Sequence, residues 1–138
     1  MEKYVIAHDL GTSGNKATLY SLEGKLIKST VFSYDLITGE NNVAEQRADD
    51  WWHAVCETTK ELLEGINSTD VAAVSFSGQM MGCLCVNDKG EPIHNALIWA
   101  DMRSTKQENT IRSNINELDF YKITGHISFV KLYDGLIL

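Results

Sequence analysis

The sequence has little cysteine and almost no proline, and each scarcity excludes a class of protein. Of 138 residues only Cys56, Cys83 and Cys85 are cysteines, and Pro92 is the one proline. An odd, sparse cysteine count without an export signal predicts reduced thiols and argues against a disulfide framework. Zinc ligation by Cys83-x-Cys85 is disfavoured, because zinc sites need further ligands and the four histidines are scattered. No proline-rich linker divides the chain.

The sequence also has few basic residues and no long apolar run. Twelve Lys and Arg against nineteen Asp and Glu give a net charge of −7, which argues against nucleic acid or an anionic membrane as the partner. No apolar run approaches the roughly 20 residues of a membrane span, and the N-terminus lacks the features of a signal peptide. We therefore expect a cytoplasmic protein. The composition, 43% hydrophobic and 22% charged, predicts a globular chain of one domain or one piece of a larger protein.

The first third of the chain reads as three short strands. Residues 4–7 are apolar, residues 16–20 alternate polar and apolar, and residues 26–34 are rich in β-branched and aromatic side chains. Glycine-containing turns at 11–14 and 23–24 separate these stretches. This pattern predicts an antiparallel meander.

The remainder mixes helical and strand patterns. A helix begins after Asp49 and Asp50, because apolar residues then recur at helical spacing. Residues 71–77 read as a strand buried on both faces, residues 82–86 and 96–100 as further strands, and Ser104 with Gln107 as a capping box. The order β-β-β-α-β predicts the α/β class, with a mixed sheet and helices on its faces. The periodic positions are Trp52, Val55, Thr59, Leu62 and Ile66 in the first helix and Ile111, Ile115 and Leu118 in the helix after Ser104.

The segment from Asp9 to Lys16 carries the most chemistry. A carboxylate ends the first strand, a turn with two glycines and two hydroxyls follows, and a lysine begins the return strand. Backbone N–H groups of such a turn can converge on an anion, and glycine lets a phosphate approach the backbone. It is not a Walker A loop, because a strand follows it. A plain hairpin, with the glycines serving backbone geometry alone, is the alternative interpretation.

Here the residues resemble a known family, the FGGY carbohydrate kinases of the actin-like ATPase superfamily, and most closely its xylulose kinases. The resemblance covers nearly the whole chain, up to about Leu132. Its motifs, in the family's order, are Asp9-x-Gly11-Thr12-Ser13-x-x-Lys16, Glu45-Gln46 with Asp50-Trp51-Trp52, Phe76-Ser77-Gly78-Gln79-Met80-Met81-Gly82, Trp99-x-Asp101-x-Arg103 and Thr124-Gly125.

The resemblance implies a fold, two cofactors and a set of site residues. It implies a ribonuclease H-like, actin-like ATPase domain that is incomplete at its C-terminus. Residues 1–138 would be the N-terminal part of the first, sugar-binding kinase domain, without the adenosine-binding second domain. ATP and Mg²⁺ would be the cofactors. Asp9 would hold Mg²⁺ through water, and Gly11, Thr12, Ser13 and Lys16 would contact ATP phosphates. The sugar would be bound by Gln79, Met80, Met81, Trp99 and Asp101.

The same resemblance limits what this chain would do alone. The catalytic base would lie beyond Leu138, so we expect the full-length parent to phosphorylate a pentulose such as xylulose, or a related sugar or polyol, and the isolated chain to be inactive. Xylulose kinases have Met-His-Gly where this chain has Met80-Met81-Gly82, which weakens the case for xylulose. His8 replaces an aliphatic residue, either filling a strand end or placing a cation near the magnesium site.

Other interpretations of the residues stay open. Trp99 also fits a core aromatic, and Asp101 a residue that caps the following helix. A ribonuclease H-like nuclease would use Asp9, Glu45 and Asp101 as two-metal ligands, although the charge of −7 disfavours it. A non-catalytic sugar- or nucleotide-binding module is a third possibility. If the chain exposes surface that its parent covers, we expect it to form homo-oligomers.

Overall fold

The computed structural model describes residues 3–125. Their contacts divide the chain into two units, Met1–Leu36 with Arg47–Gln79 and Ile37–Gln46 with Met80–Leu138. Within the described part, no helix is long and apolar enough to cross a membrane. The elements in chain order are β1 (Tyr4–Leu10), β2 (Gly14–Ser21), β3 (Leu26–Ser33), β4 (Ile37–Gly39), β5 (Val43–Gln46), α1 (Ala48–Leu62), β6 (Val71–Gly78), β7 (Ala96–Leu97), α2 (Thr105–Arg112) and α3 (Glu117–Thr124).

The first unit is built on a four-stranded sheet with the order β3-β2-β1-β6. β1, β2 and β3 are antiparallel neighbours, which confirms the predicted meander. β6 pairs parallel with β1 on its other side, so the chain returns through α1, as a parallel pair requires. The predicted mixed sheet and α/β class are therefore confirmed.

α1 covers one face of this sheet. Ile6, Ala17 and Leu19 alternate on β1 and β2 and form the core with Leu62 of the helix. The prediction that Trp52 lies on the buried face is wrong, because its side chain is 66% exposed. Val55 and Leu62 of the predicted face are buried, together with Ala54 and Thr58.

β6 was predicted to be buried on both faces, and this prediction is wrong. Its residues are exposed from the second to the last, including Val74 at 49% and Phe76 at 55%. β6 is the end strand of the sheet, so only β1 pairs with it among the described residues. An apolar strand is buried only when other elements cover it, and this information is not local to residues 71–77.

The second unit contains a small antiparallel sheet with the order β4-β5-β7. The strand expected at 82–86 is reduced to isolated bridges at Cys83 and Val86. The strand expected at 96–100 ends at Leu97, because the chain turns and the N–H of Asp101 donates to the carbonyl of Ile98 at 2.9 Å. Both predicted strands were therefore too long.

The helical region after Ser104 also differs from the expectation. The side chain of Ser104 makes no cap hydrogen bond, so the predicted capping box does not form. α2 ends at Arg112, and α3 begins after Asn116, whose side chain accepts hydrogen bonds from the N–H groups of Leu118 and Asp119. Of the periodic positions, Ile111 thus belongs to α2, Leu118 to α3, and Ile115 to the segment between the two helices.

Candidate functional site

The turn between β1 and β2, residues 11–14, lies where the first strand ends. The N–H of Gly11 is used inside the turn, because it donates to the carbonyls of Asp9 at 3.1 Å and Gly14 at 3.0 Å. A contact of Gly11 with a phosphate would therefore depend on its lack of a side chain and not on its N–H. The N–H groups of Thr12 and Ser13 follow it in the same turn.

The two glycines of the turn lack a side chain for different physical reasons. A Cβ on Gly14 would lie 2.6 Å from the carbonyl oxygen of Phe32, so the pairing with β3 requires glycine there. A Cβ on Gly11 would meet only the carbonyl oxygen of Gly14, at an ordinary 3.5 Å. Packing among the described residues therefore does not demand glycine at position 11, whereas close approach of a ligand to the backbone would.

Asp9 stands at the carboxyl end of β1, beside the corresponding end of β6. Ser77 is its neighbour in the parallel register, and the Ser77 hydroxyl donates to Asp9 Oδ1 at 2.8 Å. Lys16 is the partner of Asp9 across the antiparallel pair, so both side chains lie on one face of the sheet. Both are exposed. The fold thus places a carboxylate and a cation next to the turn.

Gln79 follows β6 and is attached to the same turn. Its N–H donates to the carbonyl of Leu10 at 2.8 Å, and its Oε1 accepts from the hydroxyl of Thr12 at 3.3 Å. The structure therefore brings together six of the residues singled out from the sequence, and all six belong to the first unit: Asp9, Gly11, Thr12, Ser13, Lys16 and Gln79.

Two further residues at this site were given no site role by the sequence analysis, although Ser77 lies within one of its motifs. Ser77 binds Asp9 as described above, and Tyr34 donates from its hydroxyl to the carbonyl of Gly11 at 2.5 Å. Burial, followed by the nearby carboxylate of Asp9, raises the pKa of Tyr34 to about 12. The only sequence signal for Tyr34 was an aromatic residue at the end of a strand pattern, which is usually a packing residue.

In the second unit, Met80, Met81 and Trp99 are accessible to a ligand. Met80 is 75% exposed and Trp99 38% exposed, so Trp99 is not sealed in a hydrophobic core. Met81 has a φ of +62°, a left-handed conformation that costs free energy for a residue with a side chain. Such strain is often kept where a site needs it, and here it falls on a residue that the family resemblance assigns to the sugar.

Asp101 is fully buried and its carboxylate is already engaged. Oδ1 accepts from the backbone N–H and side-chain Nε of Arg103, both at 3.0 Å. Oδ2 accepts from the N–H of Ala44 at 2.9 Å and forms an ion pair with Arg103 at 2.7 Å. Burial alone would raise the pKa of Asp101, but the hydrogen bonds from Arg103 and Ala44 lower it overall. These contacts fix the chain just after Trp99.

Glu45 takes part in the same cluster. It accepts from the side chain of Asn95 at 2.9 Å and from Arg103 at 2.6 Å, and the Asn95 hydrogen bond is the largest cause of its lowered pKa. No group of three or more His, Cys, Asp or Glu side chains suited to a metal ion occurs in residues 3–125. The described residues therefore give the nuclease interpretation no support.

His8 points away from Asp9, into the interface with α1. Its Nδ1 accepts from the amide of Asn15 at 3.0 Å, and its Nε2 lies 3.3 Å from the hydroxyl of Thr59. Burial lowers its pKa, partly opposed by the Asn15 hydrogen bond. His8 thus fills the strand end as a neutral ring and places no cation on the face of Asp9.

Comparison with known proteins identifies a family that this chain matches. Residues 4–132 match the family described as FGGY family of carbohydrate kinases, N-terminal domain. A xylulose kinase of Staphylococcus xylosus is 30% identical over 88% of this chain and 25% of its own length. A gluconokinase of Bacillus licheniformis is 30% identical over 91% of this chain and 24% of its own.

Solved structures show the same fold. A gluconate kinase from Lactobacillus acidophilus superposes with a TM-score of 0.81 at 28% identity, over 88% of this chain and 25% of that protein. A ligand-bound xylulose kinase from the same organism gives a TM-score of 0.79 at 28% identity, over 87% of this chain and 24% of that protein. The chain spans about a quarter of the length of the relatives that it matches.

Proposed function

This chain belongs to the FGGY family of carbohydrate kinases, and on that premise we propose that the full-length protein carrying it transfers the γ-phosphoryl group of ATP to a hydroxyl of a sugar. The substrate class is a pentulose such as xylulose, or a related sugar or polyol. Xylulose kinases and gluconokinases resemble the chain about equally, so a sugar acid belongs in the substrate panel.

One observation carries the proposal. At the carboxyl ends of β1 and β6, the turn at residues 11–14 lies between Asp9 and Lys16, and Gly11 has no internal reason to lack a side chain. Ligands in open α/β sheets bind at the carboxyl ends of strands. An anionic group placed there would meet backbone N–H groups, two hydroxyls and one ammonium.

The residues of this turn have distinct roles in the proposed reaction. Thr12 and Ser13 bind phosphate oxygens through N–H and hydroxyl groups, and Lys16 balances their charge. Asp9 fits a magnesium ion held through water, because Ser77 occupies Oδ1 and the carboxylate stays exposed. When bound, Mg²⁺ would neutralise charge on the phosphates. In this proposal, the proton acceptor for the sugar hydroxyl comes from a part of the full-length protein other than the described residues.

The sugar contacts follow the family resemblance. Gln79, Met80, Met81 and Trp99 bind the substrate in this proposal, with the indole packing on sugar C–H groups and the amide binding hydroxyls. Asp101 acts differently from the other sugar-site residues. Because its oxygens already accept from Arg103 and Ala44, it supports the site by fixing the chain after Trp99.

The test uses the full-length protein. ADP release is measured with xylulose, other pentuloses, gluconate and glycerol as acceptors, for wild type and Asp9→Asn. We expect sugar-dependent turnover that falls at least a hundredfold in Asp9→Asn, while Asp88→Asn, at an exposed turn, leaves it unchanged. Binding of ATP or sugar without turnover would support the non-catalytic module instead.

A further inference from the structure

Tyr34 forms hydrogen bonds to two carbonyl groups of the turn at residues 11–14. It follows β3 directly, its hydroxyl donates to the carbonyl of Gly11 at 2.5 Å, and its backbone N–H donates to the carbonyl of Ser13 at 3.4 Å. The first is a short, strong hydrogen bond and the second a long one. A residue 20 or more positions along the chain thereby fixes two alternate peptide groups of the turn.

Fixing a carbonyl also fixes the N–H of the following residue. The peptide group is planar and trans, so the carbonyl of Gly11 and the N–H of Thr12 point in opposite directions. While the Gly11 carbonyl points at the Tyr34 hydroxyl, the Thr12 N–H points to the other side of the same peptide. The N–H of Gly14 is constrained in the same sense through the Ser13 carbonyl.

The inner hydrogen bonds of the turn do not achieve this alone. The Gly11 N–H, bonded to Asp9 and Gly14, closes the turn, but neither of these bonds engages the Gly11 carbonyl. Rotation of the Gly11–Thr12 peptide is easier at glycine than at other residues, because glycine has no side chain to restrict its backbone. A glycine that admits a ligand therefore needs an external constraint, and the Tyr34 hydroxyl supplies it.

We infer that Tyr34 is a positioning residue for ATP: its hydroxyl orients the Gly11–Thr12 peptide so that the Thr12 N–H faces the nucleotide phosphates. This inference rests on the proposed function. The hydroxyl stays a donor across the physiological range, since the pKa of Tyr34 is raised to about 12. Tyr34 itself touches no substrate in this arrangement.

The experiment compares Tyr34→Phe with wild type in the full-length protein. The variant keeps the ring and removes only the hydroxyl. We expect the KM for ATP to rise about tenfold, the effect of one lost hydrogen bond, and calorimetric binding of Mg-ADP to weaken equally. The KM for the sugar and the melting temperature stay close to wild type.

Tyr20→Phe is the matched control. Tyr20 is half-buried on β2, in the same unit, and its hydroxyl makes no hydrogen bond with the described residues. We expect Tyr20→Phe to leave both KM values unchanged.

Three results would overturn the inference. One is an unchanged ATP KM in an active Tyr34→Phe enzyme. Another is a rise in the KM for ATP that is matched by a rise in the KM for the sugar and by a fall in the melting temperature. This result would give Tyr34 a purely structural role. Wild type that neither binds Mg-ATP nor turns over any acceptor would refute the proposed function and this inference with it.

Discussion

At the scale of single residues, two glycines of one turn differ in the physical reason for their lack of a side chain. Gly11 and Gly14 are three positions apart in one turn, yet only Gly14 faces a backbone oxygen that excludes a Cβ. A sequence motif records both glycines in the same way. The structure separates the one kept for packing from the one available to a ligand.

This separation predicts opposite phenotypes for two alanine substitutions. Gly14→Ala forces a Cβ against the Phe32 carbonyl and should lower the free energy of unfolding by about 1–3 kcal/mol. Gly11→Ala should change stability by less than about 1 kcal/mol but raise the KM for ATP severalfold or more. Urea unfolding and ATP titration of the full-length variants check both. Equal stability losses would contradict the assignment.

Asp101 offers a second prediction at this scale. It is fully buried, and its carboxylate pairs with the partly exposed Arg103, which also keeps Glu45 as a partner. Asp101→Asn removes one buried charge-assisted acceptor, so we expect a loss of about 1.5–3 kcal/mol in the free energy of unfolding, measured by urea denaturation of the full-length protein.

The exposed pair of Asp119 and Lys122 provides the control. Exposed ion pairs contribute about 0–1 kcal/mol, so Asp119→Asn should be nearly neutral. If Asp101→Asn were equally neutral, the Asp101–Arg103 cluster would not be the structural support proposed here for the segment that carries Trp99.

At the scale of elements, α1 is attached to the sheet through a polar cluster as well as an apolar core. The amide of Asn15 donates to Thr58 Oγ1 at 2.9 Å and to the ring of His8 at 3.0 Å. The ring also contacts Thr59, and it stacks on Phe76 of β6 with centroids 5.1 Å apart. These partners are uncharged, so they accommodate neutral His8 better than a protonated ring.

The stability of this interface should therefore depend on pH. Because burial lowers the pKa of His8 in the folded state, the unfolded chain binds a proton more readily. Stability is fully present above the ordinary histidine pKa of about 6.5 and is lost as the pH falls from there through the folded value. Urea midpoints between pH 8 and 5 should show this slope in wild type and less of it in His8→Leu.

His53 is the internal reference for that measurement. It lies exposed on α1, against the edge of Phe32. His53→Gln should keep the wild-type slope, and a slope that survives in His8→Leu would assign the effect to another group.

How far the sequence predicts an element depends on whether its signal is local. β1, β2 and β3 were predicted because alternation and turn glycines lie within each hairpin. The break between α2 and α3 was missed because the periodicity from Ile111 to Leu118 continues across it, although Asn116 ahead of Glu117 is a helix-start signal. The roles of Tyr34 and Ser77 could not be predicted from sequence, since their contacts to Gly11 and Asp9 join residues 23 and 68 positions apart.

At the scale of the whole molecule, the residues that we propose to bind phosphate come from one part of the chain. The turn, Asp9, Lys16 and Tyr34 all belong to the first unit, and each can act on a phosphate by position or charge. Phosphoryl transfer depends mainly on such positioning and charge neutralisation. The chain spans about a quarter of the length of its relatives, so we propose that it contributes these groups to a reaction that also needs other parts of the full-length protein.

The exposed edge strand β6 predicts how the whole chain assembles. Its residues Val71–Gly78 carry no charge, Val74 and Phe76 are about half exposed, and its outer edge has no strand partner in residues 3–125. Uncharged open edges pair readily with further strands. We therefore expect the 138-residue chain to self-associate in sedimentation velocity as its concentration rises, by pairing of β6 between copies.

A lysine on this strand should oppose that pairing, since edge charges block the approach of another strand. Val74→Lys should shift the chain toward monomer, whereas Val31→Lys, at a 62% exposed valine on β3 at the other end of the sheet, should not. Because both variants add the same charge, a difference between them isolates the position from the reduction in net charge. If both variants became monomeric to the same extent, net charge and not the position on β6 would control self-association. A wild type that stays monomeric at all concentrations would show that the exposed face of β6 does not drive assembly.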